Sequence, residues 1–279
     1  GSVLSCEDFQ ILLLLDRDLN DKVSSAYLMV EPWKLLEALD KKMNSLNPNI
    51  NKLAIKIMEE GPDLSTDTDI ANVPKGQPAV EHKLETDDIV TVWGPPGTGK
   101  TYTMAKIANS YVAQGKSVLI VSHSNVSVDG VIKQVVKMLG TDKQSILEDG
   151  KILRFGYVRD DELSQNPYAT SFNYALSKCD SYARQLEHLM AKRDELRAKN
   201  QMKSKEYDEV EHKIKEIRGE IRKEERKYVE RAQVIGTTIS RATIDPMFEE
   251  RQFDLVMFDE VSMAYVPQVI AAAALAKEK

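Results

Sequence analysis

Eight consecutive residues, Gly94-Pro95-Pro96-Gly97-Thr98-Gly99-Lys100-Thr101, satisfy the pattern G-x-x-x-x-G-K-[ST] at every required position. The chemistry such a run offers is phosphate binding. Glycines let the backbone curl so that successive N–H groups converge on an anion, and a helix starting behind them adds the positive end of its dipole. Lys100 is placed to reach β- and γ-phosphates, and the Thr101 hydroxyl to hold Mg²⁺. A second element agrees. Leu255-Val256-Met257-Phe258 is an apolar run ending in Asp259-Glu260, and an acid at a strand's carboxyl end sits in the crevice where an α/β sheet binds ligands. Asp259 is the expected metal residue, usually through water, and Glu260 the group that polarises an attacking water. A ligand-free Gly/Pro-rich turn and a solvated acidic pair are the plain alternatives. Finding both elements in one chain favours ATP with Mg²⁺.

The flanking residues predict what holds these groups. Ile89 to Trp93 reads as a buried strand feeding the loop, and Lys100 to Ala113 as the helix behind it. Ser117 to Val121 is a further strand, Asn125 to Leu139 a helix stopped by Gly140, and Ile152 to Phe155 a short strand. Later come strands within Ala232–Thr237 and Phe253–Phe258, then an Ala-rich helix over about Val266–Ala276. Strand and helix in alternation imply a parallel sheet with crossover helices, an α/β fold.

That alternation is interrupted. From about Ser171 to Arg231 the chain is charged and nearly free of Gly and Pro. Tyr182, Leu186, Leu189 and Leu196, then Tyr207, Val210, Ile214, Ile217, Ile221 and Tyr228, recur at the spacing of a helix-packing seam. The sheet needs the chain back near its point of departure, so the seam predicts an antiparallel helical hairpin turning within Lys199–Lys205. Upstream, Trp33 to Leu39 and Asn51 to Met58 suit short helices, and Asp63 to Gly76 a polar linker. The expected organisation is a mostly helical segment and linker over 1–75, a first part of the α/β domain over 76–170, the hairpin insertion over 171–231, and a second part over 232–279.

Three of these stretches together resemble the first motor domain of superfamily 1 helicases. Gly94–Thr101, Ser122-His123-Ser124-Asn125-Val126-Ser127-Val128-Asp129, and Asp259-Glu260-Val261-Ser262 resemble its motifs I, Ia and II. The S-N-x-x-V-D element is similar to the branch holding the nonsense-mediated-decay and Dna2-type helicases. The resemblance covers about residues 76–158 and 232–276. It implies a RecA-like P-loop NTPase sheet, ATP hydrolysis, and movement on single-stranded DNA or RNA. It also implies that Gln77 reads the adenine edge and that Thr238, in Val234-Ile235-Gly236-Thr237-Thr238, touches the nucleic-acid backbone. For Gln77 a plain linker residue, and for Thr238 a buried strand end, are the alternative readings. Ser122, Ser124 and Asn125 also have a physical case of their own: hydroxyl and amide groups at a helix start attract a backbone phosphate. As single residues they equally suit helix caps.

No arginine and no Gly-Asp-x-x-Gln element follows Glu260. The resemblance implies that both lie in a second RecA-like domain of a parent chain, downstream of Lys279, so little turnover is expected of this piece alone. The hairpin carries 15 Lys/Arg against 12 Asp/Glu over residues 181–232, in a chain whose net charge is −6. A nucleic-acid clamp and a merely solvated hairpin are both open to it. An AAA+ or coiled-coil remodelling ATPase and a nucleotide-switched scaffold are the alternative functions. The long interval from Lys100 to Asp259 speaks against an AAA+ ATPase, the lack of a Ser-Gly-Gly element over Ile239–Phe253 against the coiled-coil type, and the intact Lys100, Thr101, Asp259 and Glu260 against decay of the site. With 42% hydrophobic and 29% charged residues and two cysteines among 279 residues, disulfide scaffolds and wholly disordered chains are excluded. No apolar run approaches the roughly 20 residues of a membrane span. A cytoplasmic setting and no membrane partner are the expectation.

Overall fold

The computed structural model describes residues 2–7, 10–14, 33–60, 77–140, 144–199 and 204–279, and for 2–7, 10–14, Glu60 and Gln77 the backbone alone. Gly1–Lys34 and Leu35–Lys279 form two compact units. In the first, β1 (Ser2–Glu7) and β2 (Gln10–Leu14) pair antiparallel, Ser2 opposite Leu14 and Glu7 opposite Gln10, a hairpin that the sequence reading does not contain.

In order along the rest of the chain come α1 (Trp33–Asn44), α2 (Lys52–Glu60), α3 (Gln77–Thr86), α4 (Lys100–Ala113), β3 (Val118–Ser122), α5 (Asn125–Leu139), α6 (Gln144–Glu148), β4 (Ile152–Arg154), α7 (Asp161–Gln165), α8 (Ser171–Ser177), α9 (Asp180–Ala198), α10 (Lys205–Arg231), β5 (Val234–Thr238), α11 (Ile239–Ile244), β6 (Leu255–Asp259) and α12 (Val266–Ala273). The predicted linker Asp63–Gly76 lies outside the described residues. Gln77, for which a plain linker residue is the alternative reading, opens α3.

The strands form one parallel sheet in the order β4-β5-β3-β6. Alternate strand residues face opposite ways, and both faces are covered. Val118, Ile120, Ile152, Val234, Leu255 and Met257 pack with Ala105, Ala108, Val131, Ile132 and Val135 of α4 and α5. Leu119, Val121, Leu153 and Ile235 pack on the other face with Ile239, Phe248, Phe253 and Ala272. Burial on both faces is why these strands read as unbroken apolar runs. At Gly236 α5 lies close on the sheet, since a Cβ there would meet the Ile132 side chain. At the other end of the strands the Asp254 carboxylate accepts from the Ser117 amide (2.7 Å) and hydroxyl (2.8 Å), locking the starts of β3 and β6 together.

One predicted strand is not there. Residues 89–93 join no ladder, and Trp93 is 88% exposed. A parallel strand is held by hydrogen bonds to a neighbour. The near neighbour, β6, bonds on one side to β3, while on the other side its start and the residues just before it bond to residues 275–279: Phe253 N–H donates to Leu275 O (2.8 Å) and Val256 N–H to Lys279 O (2.9 Å). Across a cleft of about 520 Å³, residues 89–93 face the rest of that edge without pairing to it. Apolar composition makes a strand possible; a partner makes it one.

The insertion is a pair of packed helices. Leu186 and Leu196 of α9 meet Val210, Ile214, Ile217 and Ile221 of α10, with Tyr182, Leu189 and Tyr207 alongside, as the seam predicts. Lys199 ends α9 and Ser204 caps α10, its hydroxyl accepting from the Tyr207 amide at 3.1 Å; residues 200–203 between them lie outside the described residues. At the root, the Tyr174 and Tyr228 rings pack edge to face with centroids 5.0 Å apart.

Candidate nucleotide and nucleic-acid sites

The phosphate-type loop is built as its glycines require. Gly97 (φ 84°) and Gly99 (φ 85°) adopt left-handed backbone that other residues rarely take. At Gly94 a Cβ would sit 2.6 Å from Thr98 Oγ1, so only glycine allows the loop to close there. Thr98 Oγ1 donates to Pro95 O at 2.9 Å and pins the turn. Gly99 ends the loop and α4 begins at Lys100, where the first turn's N–H groups have no intrahelical acceptor. The Lys100 ammonium donates to Gly94 O (2.6 Å) and Pro95 O (3.4 Å), its charge lying over the loop.

Facing this loop across the 520 Å³ cleft is the carboxyl end of β6. Lys100, Asp259 and Glu260 line the same space, with Ile89, Val90 and Phe258 as its apolar side. Burial, then the neighbouring Glu260 charge, raises the Asp259 pKa, and Lys100 pulls it back. Such a carboxylate gains from a cation beside it. Glu260 has φ 54°, unique among the described non-glycine residues in being positive, and it projects exposed from the turn after the strand. Backbone held in that region at a strand end is a local cost that sites for chemistry often carry. A glycine loop on left-handed backbone, free helix N–H groups, an ammonium and an opposing carboxylate are the groups that Mg²⁺-nucleotide binding calls for. Thr101 is exposed as the second residue of α4 and does not line the cleft; the Gln77 side chain lies outside the described residues.

The second group of predicted residues lies at the carboxyl ends of β3 and β5. Ser122 is fully buried, which corrects its reading as a presented hydroxyl: its Oγ accepts weakly from the Ser124 amide at 3.5 Å. Ser124 is exposed and caps α5, accepting from Ser127 N–H at 3.1 Å. Thr238 caps α11, accepting from Arg241 N–H at 3.4 Å. Asn125 Oδ1 accepts from Arg154 Nη2 at 2.8 Å.

Arg154 is the residue that pattern reading missed. It is wholly buried, yet every arm of its guanidinium is used: Nε to Asp129 Oδ1 (2.6 Å), Nη1 to Phe155 O (2.5 Å), Nη2 to Asn125 Oδ1 and to Tyr157 O (2.7 Å). Asp129 also accepts from the amides of Arg159 (2.6 Å) and Asp160 (3.2 Å). Burial lowers the Arg154 pKa and Asp129 opposes that loss. One buried ion pair therefore fixes the helix start carrying Asn125 and the loop carrying exposed Tyr157. The available signal was an arginine inside the apolar run Ile152–Phe155, where a charge must have a partner.

Among the described residues no helix is long and apolar enough to cross a membrane. Residues 75–279 match the sequence family described as an AAA domain. DNA-binding protein SMUBP-2 of Mesocricetus auratus is 27% identical over 200 residues, which cover 68% of this chain and 19% of that protein. DNA polymerase alpha-associated DNA helicase A of Saccharomyces cerevisiae is 23% identical over 305 residues, 96% of this chain and 42% of its own length. A putative regulator of nonsense transcripts 1 of Takifugu rubripes is 29% identical over 181 residues, 64% of this chain and 14% of its own. The chain thus spans less than half the length of each of these relatives.

Proposed function

The chain belongs to the AAA domain family, and on that premise we propose that it is the first RecA-like motor domain of an ATP-driven helicase or translocase acting on single-stranded DNA or RNA. The observation that carries this reading is the meeting of Lys100, Asp259 and Glu260 on one cleft beside a loop shaped by Gly94, Gly97 and Gly99. The relatives' names, a DNA-binding protein and a DNA helicase among them, support the same class.

In this reading, the N–H groups from Gly97 to Thr101 and the Lys100 ammonium hold the β- and γ-phosphates, with Pro95, Pro96 and Thr98 shaping the loop. Asp259 and Thr101 hold Mg²⁺, which when bound supplies positive charge against the phosphate oxygens. Glu260 orients the attacking water and accepts its proton. Gln77 contacts the adenine, and Ser124, Asn125 and Thr238 contact the nucleic-acid backbone. We assign 76–170 and 232–279 to the motor, 171–231 to the inserted hairpin and 1–75 to an N-terminal segment and linker. The remaining groups of the ATP site come from a second RecA-like domain in the parent protein, and the setting is cytoplasmic.

The test is ATP turnover of the full-length protein with and without single-stranded DNA or RNA, repeated with Lys100→Ala. The expected result is stimulation by the strand and its loss in the variant. Turnover indifferent to both nucleic acids would sink the motor reading and leave a remodelling ATPase ahead.

A further inference from the structure

Tyr157 is a large aromatic side chain left 62% exposed on backbone that is nonetheless tightly held. Its carbonyl accepts from Arg154 Nη2 at 2.7 Å, and two residues later the Arg159 amide donates to Asp129 Oδ2 at 2.6 Å. Both anchors belong to the one buried ion pair, Arg154 Nε on Asp129 Oδ1. Asp160 continues the hold, its amide on Asp129 and its carboxylate capping α7 through the Leu163 amide at 2.8 Å. Between the anchors Val158 packs on the core beneath α4 and α5, so exposure alternates and Tyr157 and Arg159 face solvent.

The same guanidinium nitrogen also holds Asn125. Arg154 Nη2 donates at 2.8 Å to Asn125 Oδ1, so that oxygen and the Tyr157 carbonyl lie within two hydrogen-bond lengths of each other. An arginine can only donate, so it fixes which end of the Asn125 amide faces the interior. The oxygen is committed to Arg154. The NH₂ of this half-buried side chain is left at the start of α5, beside exposed Ser124, with no acceptor among the described residues.

The helix start and the loop therefore offer an amide donor, an aromatic face and the exposed guanidinium of Arg159, which makes no ion pair among the described residues. Of the acids that follow, Asp160 and Glu162 are both drawn to Lys133, at 3.0 and 2.6 Å, which leaves exposed Asp161 as the unpaired carboxylate of that turn. A free phosphate would use the donors and leave the ring idle. An apolar peptide would use the ring and leave the donors unsatisfied. A single strand carries phosphates and bases together and uses both. A ring whose backbone is already held in place also loses little conformational freedom on binding.

We propose that Tyr157 is a base-stacking residue on the path of the single strand, its ring carrying a base of the strand whose backbone the Asn125 amide contacts. This rests on the motor reading above and deepens it by naming a contact to the bases, where Ser124, Asn125 and Thr238 are assigned to the backbone.

The test is fluorescence anisotropy of the full-length protein with two labelled strands, a thymidine oligonucleotide and an abasic strand with the same number of phosphates. Wild type should prefer the thymidine strand. Tyr157→Ala should weaken binding of that strand by about 5- to 150-fold, the loss that removal of one stacking ring brings. It should leave binding of the abasic strand unchanged, and Tyr157→Trp should bind both strands as wild type does. The slope of log K against log salt should also stay as in wild type for Tyr157→Ala, because no charge is lost. If Tyr157→Ala shifts the urea midpoint of unfolding, Tyr157→Leu, apolar but not aromatic, should show the same loss on the thymidine strand alone. Wild-type affinity in these variants, an equal loss on both strands, or a flattened salt slope overturns the stacking role and leaves the motor reading intact. A wild type that binds the two strands equally overturns the stacking role as well. Wild-type protein that binds neither strand overturns both readings.

Discussion

The carboxyl end of the sheet carries two polar clusters that solve opposite problems. Around Arg154 every donor of a buried guanidinium has an acceptor within the chain, and Asp129 answers with three accepted bonds. Around Gly94–Thr101 and Asp259–Glu260 the polar groups face an open cleft, Lys100 leans on its own loop's carbonyls, and Glu260 stands exposed on left-handed backbone. Saturated polar groups in a dry interior give rigidity and one geometry. Groups left facing a cleft, with a carboxylate whose pKa burial has raised, hold interaction capacity for something that is not the protein. Two clusters at one end of the sheet are thereby distinguished as scaffold and site.

The widest separation between them is expected from Glu260→Gln. Removing a water-orienting base should lower ATP turnover of the full-length protein by about 10²–10⁴-fold. Because the side chain is exposed, the unfolding free energy should move by no more than about 0.5 kcal/mol. Phosphate release and denaturant unfolding, run on the same preparation, measure both. A large loss of stability would erase the distinction.

Arg154→Ala probes the other cluster. It strands a buried carboxylate, and breaking such a pair costs about 3–5 kcal/mol. Urea unfolding should show that shift, and a cost under about 1 kcal/mol would mean that water or rearrangement replaces the arginine.

Ser124→Ala gives the smallest change and sharpens the boundary between the clusters. Loss of the cap should cost about 1 kcal/mol of stability. If Ser124 also touches a phosphate, the salt slope of single-strand binding should flatten with it. An unchanged slope reduces Ser124 to a cap.

Legibility in the sequence follows from how local each determinant is. α4 and α5 begin and end at the predicted residues because Gly99, Ser124 and Gly140 act within a turn of themselves. The hairpin seam was legible because a long helix repeats its periodicity many times. Residues 89–93 carry the composition of a strand, yet strand formation depends on a distant partner, and none pairs with them here. Ser122 looked like a presented hydroxyl because its spacing says nothing of whether the strand end is buried. Arg154 was passed over because its importance lies in Asp129, Asn125 and Tyr157, which only folding brings to one guanidinium.

The amino-acid order alone determined the loop's capacity for phosphate, the acids at the end of an apolar strand and the alternation that makes a parallel sheet, since each rests on neighbours a few bonds away. The tertiary structure decided that Lys100, Asp259 and Glu260 share a cleft and that Arg154 is sealed rather than exposed. Those outcomes depend on which surfaces are dry and which charges are left unmatched, and only the packed molecule sets either.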